Sequence, residues 1–142
     1  MKELKFRAFH KPSKKLFGIG CLDFKNKMIS SRQIVIGQGK RVYFDTVDYD
    51  LKDCELMQFT GLKDVDGKDI YENDIVKWGH LNEESFENPH RIAIVEINPD
   101  IQFNAKNIRH VFHYATFAYP DTNKHLQILG NIYQNPELLV NK

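Results

Sequence analysis

Interruption is what most constrains this chain. Short alternating runs succeed one another along its 142 residues, and each is closed by a turn signal. "LKFRAFH" sets Leu4, Phe6 and Ala8 against Lys5, Arg7 and Phe9, the pattern of a half-buried strand. Pro12 and Ser13 mark a turn, and "KLFGIGCLDF" returns, so residues 4–24 predict a hairpin. "RQIVIGQGKRVYFDT" predicts a second hairpin around Gly37 and Gly39. "CELMQFT" alternates again, and Asp66-Gly67 is a strong turn dipeptide. "IVKWGHL" and "HRIAIVEIN" come next as strands on either side of the polar connection "NEESFENPH", and Asn98-Pro99 ends the second of them. "HLQILGNIY" is a late strand. "NPELLV" reads as a helical turn, with Asn135 as its cap and Pro136 at its first position.

Residues 100–119 read two ways. Ile101, Ala105, Ile108 and Phe112 have helical spacing, and Asp100 could cap a helix. The Phe, Tyr, Val and Thr content of residues 111–119 suits a strand instead.

About nine or ten short strands with little helix predict an all-β chain built as a small barrel or sandwich. Abundant Val, Ile, Phe and Tyr with scarce Ala point the same way. A boundary near residue 60 divides hairpins (1–60) from a part able to close a small barrel (61–142), the two forming one integrated domain. No run approaches the roughly 18 apolar residues that span a bilayer, and the basic N-terminus lacks the apolar stretch of a signal peptide. The expected location is therefore the cytoplasm, with no membrane partner. Cys21 and Cys54 have no CxxC spacing and read as small core residues of a reduced protein.

The net charge is +1, but it is unevenly spread. Residues 1–40 hold ten Lys or Arg against two acids, whereas residues 41–75 hold four against ten. A basic segment can be an electrostatic footprint for nucleic acid, or it can pair with the acidic middle of the same or a neighbouring chain. Small barrels bind single strands through exposed aromatics and basic rims, which makes Lys5, Arg7, Phe9, Lys14, Lys15 and Trp78 candidates. For the aromatics, a place in the core of a small domain competes with that role.

No motif specific to an enzyme is present. With Gly67 in the sixth position of a calcium loop, Leu62 would be first and Asn73 twelfth, and neither supplies the carboxylate needed there. The carboxylates scattered on the turn around Gly67, Asp64 among them, read as solvated. His110 and His113 are the only metal candidate, and they lack the third and fourth ligands that zinc needs. No serine sits in a nucleophile elbow, and "IGQGK" at 36–40 is not a P-loop. No cofactor, metal or catalytic residue is expected.

"MQFTGLKDVDGKDIYENDIVK" resembles the signature of the YopX family, which runs roughly "QYTGLKDKNGKEIYEGDIV". Gln58, Thr60 to Asp64, Gly67, Lys68, Ile70 to Glu72 and Asp74 to Val76 match it. The start "LKFRAFHKPSKKLFG" and the end "ILGNIYQNPELL" are similar to the family's termini. Asn73 stands where the family usually has Gly, and His10 where it usually has Asp. The resemblance implies a β-rich fold with a C-terminal SH3-type small barrel, encoded by a phage or prophage in a bacterium. It implies no established activity or site residue.

Physically, the central motif reads as two turns. Gly61 allows a bend at the end of one strand, and Leu62 anchors the next segment to the core. Asp66-Gly67 makes the first turn, after which Ile70 and Tyr71 re-enter the interior. "YEND" makes the second, with Asn73 left-handed and Asp74 accepting a backbone hydrogen bond. "DIVKW" then starts a strand, with Ile75 and Lys77 opposite Val76 and Trp78. On this reading Gly61→Val and Gly67→Val lower stability, whereas Asp64→Asn changes little. The expected function is a non-catalytic interaction module that binds an unknown protein or a second copy of itself through open edges and the loop at 81–90. The alternative is nucleic-acid binding by the basic N-terminal segment.

Overall fold

The structure, a computed structural model, describes residues 5–36, 42–79, 91–116 and 121–139. Among the described residues the chain is mainly β, with two antiparallel sheets and one short α-helix. It divides into two compact units, Lys5–Met57 and a second that takes in Gln58–Lys142. The loops at 37–41 and 81–90 lie outside the described residues.

The first unit contains β1 (Phe6–His10), β2 (Lys15–Asp23), β3 (Met28–Ile36), β4 (Val42–Asp50) and the start of β5 (Cys54–Lys63). Its strand order is β4-β3-β2-β1-β5. Both expected hairpins form: His10 pairs with Lys15, and Ile36 with Val42. β2 serves two partners. Residues 15–18 pair with β1 and residues 19–23 with β3, with a register shift between Ile19 and Cys21. Such an irregularity bends a strand and raises its twist. The Asp23 carboxylate holds the β2–β3 turn by accepting the Asn26 backbone N–H at 3.1 Å and its amide at 2.8 Å.

Ala8, Ile29 and Cys54 form the buried centre of this unit, with Phe17, Leu22, Tyr49 and Leu56 packed around them. Tyr49 stacks on Phe17 at 4.5 Å, a geometry worth about 0.5–1.5 kcal/mol beyond area burial. Two expectations are corrected here. Phe9 is buried along with its neighbour Ala8, so β1 is covered on both faces rather than one. Cys21 is exposed and only Cys54 is a core residue, because the irregularity beside Gly20 turns Cys21 outward. Both thiols are free.

The second unit holds the rest of β5, then β6 (Asp69–Tyr71), β7 (Asp74–Trp78), β8 (Ile92–Ile97), β9 (Ile101–Ala105), β10 (His110–His113), α1 (Thr122–His125) and β11 (Leu126–Asn131). Its five-stranded sheet runs β10-β9-β8-β7-β11. Among the described residues the order is open, with no closed barrel. Phe103, Val76, Val95, Leu126 and Trp78 form its core, with Leu62 packed against them as expected.

β7 is more deeply buried than alternation predicts. Ile75 and Val76 are both fully buried, because β7 is an interior strand between β8 and β11 and both of its faces are covered there. Trp78 is buried too, which removes it from the candidate stacking surface. The ambiguous segment is extended: β9 and β10 form a hairpin through a 3-10 turn at Lys106–Ile108, closed by Arg109 at φ 51°. Asp100 precedes a strand, and the helical spacing of Ile101, Ala105 and Ile108 reflects no helix. Residues 117–120 of that segment lie outside the described residues. Pro136 opens a 3-10 turn over Pro136–Leu139. No described helix is long and apolar enough to cross a membrane.

Candidate functional site

The acidic stretch between β5 and β7 is built from two turns: the first is fastened to β11, the second to β8 and to the chain just after β11. β5 does not stop at Gly61 as expected. It runs on to Lys63 through an irregularity in which Thr60, Gly61 and Leu62 lie opposite the single residue Ile70. Gly61 has φ 86°, a conformation that disfavours any side chain with a Cβ. The buried Thr60 hydroxyl fills the irregularity. It donates to the Ile70 carbonyl at 2.7 Å and accepts the Leu62 N–H at 3.1 Å.

The first turn closes when Gly67 N–H donates to the Asp64 carbonyl at 3.0 Å, with Gly67 at φ 77°. Asp64, expected to be solvated, is 1% exposed. Its Oδ1 accepts the N–H groups of Asp66 and Lys68, each at 2.9 Å, and its Oδ2 accepts the Ile128 N–H at 3.1 Å. Val65 N–H adds a bond to the Leu126 carbonyl at 2.9 Å. These partners occupy backbone groups of β11 on the side away from β7. The first turn therefore covers what would be the free edge of that strand.

The second turn matches the expected scheme. Asn73 has φ 71°, and Asp74 Oδ2 accepts the Tyr71 N–H at 2.8 Å. The Asn73 backbone reaches further: its N–H donates to Val95 O at 2.7 Å, and its carbonyl accepts the Ile132 N–H at 3.0 Å. Its amide lies 3.4 Å from the Tyr133 hydroxyl. Tyr71 packs against Phe59 with ring centres 5.6 Å apart. The chain after β11 is shaped to match. Asn131 is buried and accepts the N–H groups of Tyr133 and Gln134, while Asn135 turns its side-chain oxygen back to the Asn131 N–H at 3.2 Å. The acids thus act on backbone geometry. Lys63 and Asp69 add an outer ion pair at 2.9 Å, with the lysine largely exposed.

The basic candidates lie elsewhere. Lys14 and Lys15 are exposed at the β1–β2 turn, and Lys5 and Arg7 are half-buried beside and within β1. Phe9 and Trp78 are both buried, so the core place that competed for these candidate aromatics is the one they take, and they do not join the lysines at a surface.

His110 and His113 are three apart on β10 and project to opposite faces, so they do not converge on one ion. Among the described residues no group of three or more His, Cys, Asp or Glu is placed to hold a metal. A hollow of about 530 Å³ gathers His113, Asp100 and Tyr114 with Ile97, Pro99, Ile101 and Ala115, and leaves His110 out.

Sequence reasoning missed the role of Asp64. An Asp two residues before a turn amide is a local signal for a side-chain-to-backbone bond, but the bond to Ile128 has no local signal.

Comparison with known proteins agrees with this architecture. The family profile described as YopX protein matches residues 5–140. The crystal structure of protein EF1440 from Enterococcus faecalis is similar, with a TM-score of 0.58 and 26% identity over 99% of this chain and 100% of that one. The search of curated proteins found no match.

Proposed function

The chain belongs to the YopX family, and from that premise we propose that it is a non-catalytic interaction module, pairing with a partner protein or a second copy through an open sheet edge. The observation that carries this reading is the state of β10. Among the described residues β10 ends its sheet, with β9 as its one neighbour. Val111 on it is 40% exposed, and Ile108 just before it is 45% exposed. The strand carries neither Lys nor Pro, the residues that commonly guard an edge. At the other end of the sheet, β11 is occupied by Asp64 and Val65. An extended segment could add to β10 by main-chain hydrogen bonds, with pockets for alternate side chains giving selectivity.

Size-exclusion chromatography with light scattering tests the self-pairing form. A mass above the monomer, returned to the monomer by Val111→Lys, is the expected result. A strict monomer at high concentration overturns self-assembly.

An SH3-type barrel belongs to the same proposal, supported by five short antiparallel strands around a single core. So does a phage- or prophage-encoded protein working in the bacterial cytoplasm, which the family resemblance motivates. Nucleic-acid binding is the second reading. The exposed Lys14 and Lys15 side by side favour it, and the burial of Phe9 and Trp78 weakens it.

A further inference from the structure

We propose that the Lys5–Met57 unit carries a single-stranded nucleic-acid site on the rim formed by its β1–β2 and β2–β3 turns, with Phe24 as the stacking platform and Lys25, Lys27 and Lys52 as phosphate contacts. This deepens the second reading with residues that composition did not single out. It is independent of the β10 edge.

The 3-10 turn Leu51–Asp53 assembles the rim. Lys11 N–H donates to the Asp53 carbonyl at 2.9 Å, and Leu51 N–H donates to the Lys27 carbonyl at 2.9 Å. The turns at the two ends of β2 therefore sit on either side of one three-residue turn. Lys52 lies between them. Lys11, Lys14, Lys15, Lys25, Lys27 and Lys52 are all exposed. The acids of the same rim are fewer: Asp23, Asp50, Asp53 and Glu55. Asp23 is engaged by Asn26, and Glu55 faces Lys11 at 3.4 Å.

Phe24 stands at the tip of the β2–β3 turn. It is 70% exposed and is the only large hydrophobic side chain in the described part of this unit marked by such exposure. Its turn is held in place by the Asp23–Asn26 bonds and by Lys27 at φ 56°, so the ring is presented rather than tucked away. An aromatic ring set among lysines matches a flexible anion with exposed π-faces. Duplex bases are already stacked and offer no face to a single ring. A membrane surface is a poorer match, because interfacial binding grows with buried apolar area and one ring supplies little.

Fluorescence anisotropy of the full chain with a labelled oligothymidylate at low salt tests the proposal. Binding that weakens with salt is expected. Phe24→Ala should weaken it about tenfold and leave the salt slope unchanged, and Phe24→Tyr should restore it. Lys25→Ala and Lys52→Ala should each lower the slope by about 0.7. Val111→Lys should leave binding intact, which separates this site from the edge. The proposal is overturned by the absence of binding at low salt, or by equal affinity for Phe24→Ala. Equal affinity for a duplex, or recruitment to phosphatidylserine vesicles without oligonucleotide binding, also overturns it.

Discussion

Asp64 Oδ2 accepts the backbone N–H of Ile128 at 3.1 Å, joining a turn near the middle of the chain to a strand near its end. The same carboxylate organises its own turn through Asp66 and Lys68. One buried side chain thus satisfies three backbone donors. Hydrogen bonds to a charged acceptor contribute about 1.5–3 kcal/mol each, and the larger effect comes from leaving donors buried without a partner.

Asp64→Asn is therefore expected to destabilise the protein by about 2–3 kcal/mol, because its NH₂ group must face an N–H donor. Asp64→Ala should cost more. Urea unfolding checks both. Little change on Asp64→Asn, the outcome anticipated from a solvated carboxylate, would mean that the bond to Ile128 is not formed.

Left-handed backbone at three motif positions makes its own prediction. Gly61, Gly67 and Asn73 have φ of 86°, 77° and 71°. A Cβ at Gly67 would meet nothing within 4 Å, so a substitution there tests conformation without steric overlap. Gly67→Val should cost about 1–2 kcal/mol and Gly67→Asn distinctly less, with Gly61→Val also destabilising. Asn73→Gly should be tolerated and Asn73→Val should not. Thermal melts rank the set, and equal effects of Val and Asn at Gly67 would exclude the backbone explanation.

Gly130 is required for a different reason. A Cβ there would overlap the Asn135 side-chain amide, which is held by the Asn131 N–H. Gly130→Ala should destabilise by about 1–3 kcal/mol, the usual cost of overpacking. Adding Asn135→Ala should recover part of that loss. Strict additivity in the double mutant would show that the two residues do not meet.

The two cysteines should differ in reactivity. Burial first, and then the nearby Asp53 carboxylate, push the Cys54 thiol above its ordinary pKa, whereas Cys21 is exposed. Iodoacetamide should modify Cys21 in the folded protein and Cys54 only on unfolding. The raised pKa also sets a sign. The neutral Cys54 thiol stabilises fully below the ordinary value of 9.0, and its contribution falls as pH rises through the higher folded value. Urea stability should therefore decline above about pH 9, and less steeply in Cys54→Ala. Equal alkylation rates for both thiols would contradict this placement.

Features that depend on near neighbours in the chain were legible from the residues alone. Alternation identified the β1–β2 hairpin, because period-2 patterning is written residue by residue, and the glycine signal at Gly37 and Gly39 identified the β3–β4 hairpin. Gly61, Gly67 and Asn73 announced positive φ, because steric limits on φ belong to the residue itself. Tertiary structure decided what depends on neighbours distant in the chain. It buried Phe9, Trp78 and Asp64 and left Cys21 outside, since burial is conferred by the elements that pack around a residue. It settled Ile101–Ala105 and His110–His113 as strands, because pairing in a sheet overrides a short run of helical spacing. It also set Asn73 against Val95 and Ile132, and Asp64 against Ile128. A hydrogen bond across some 60 residues leaves no periodic trace in the chain, and only folding brings its donor to its acceptor.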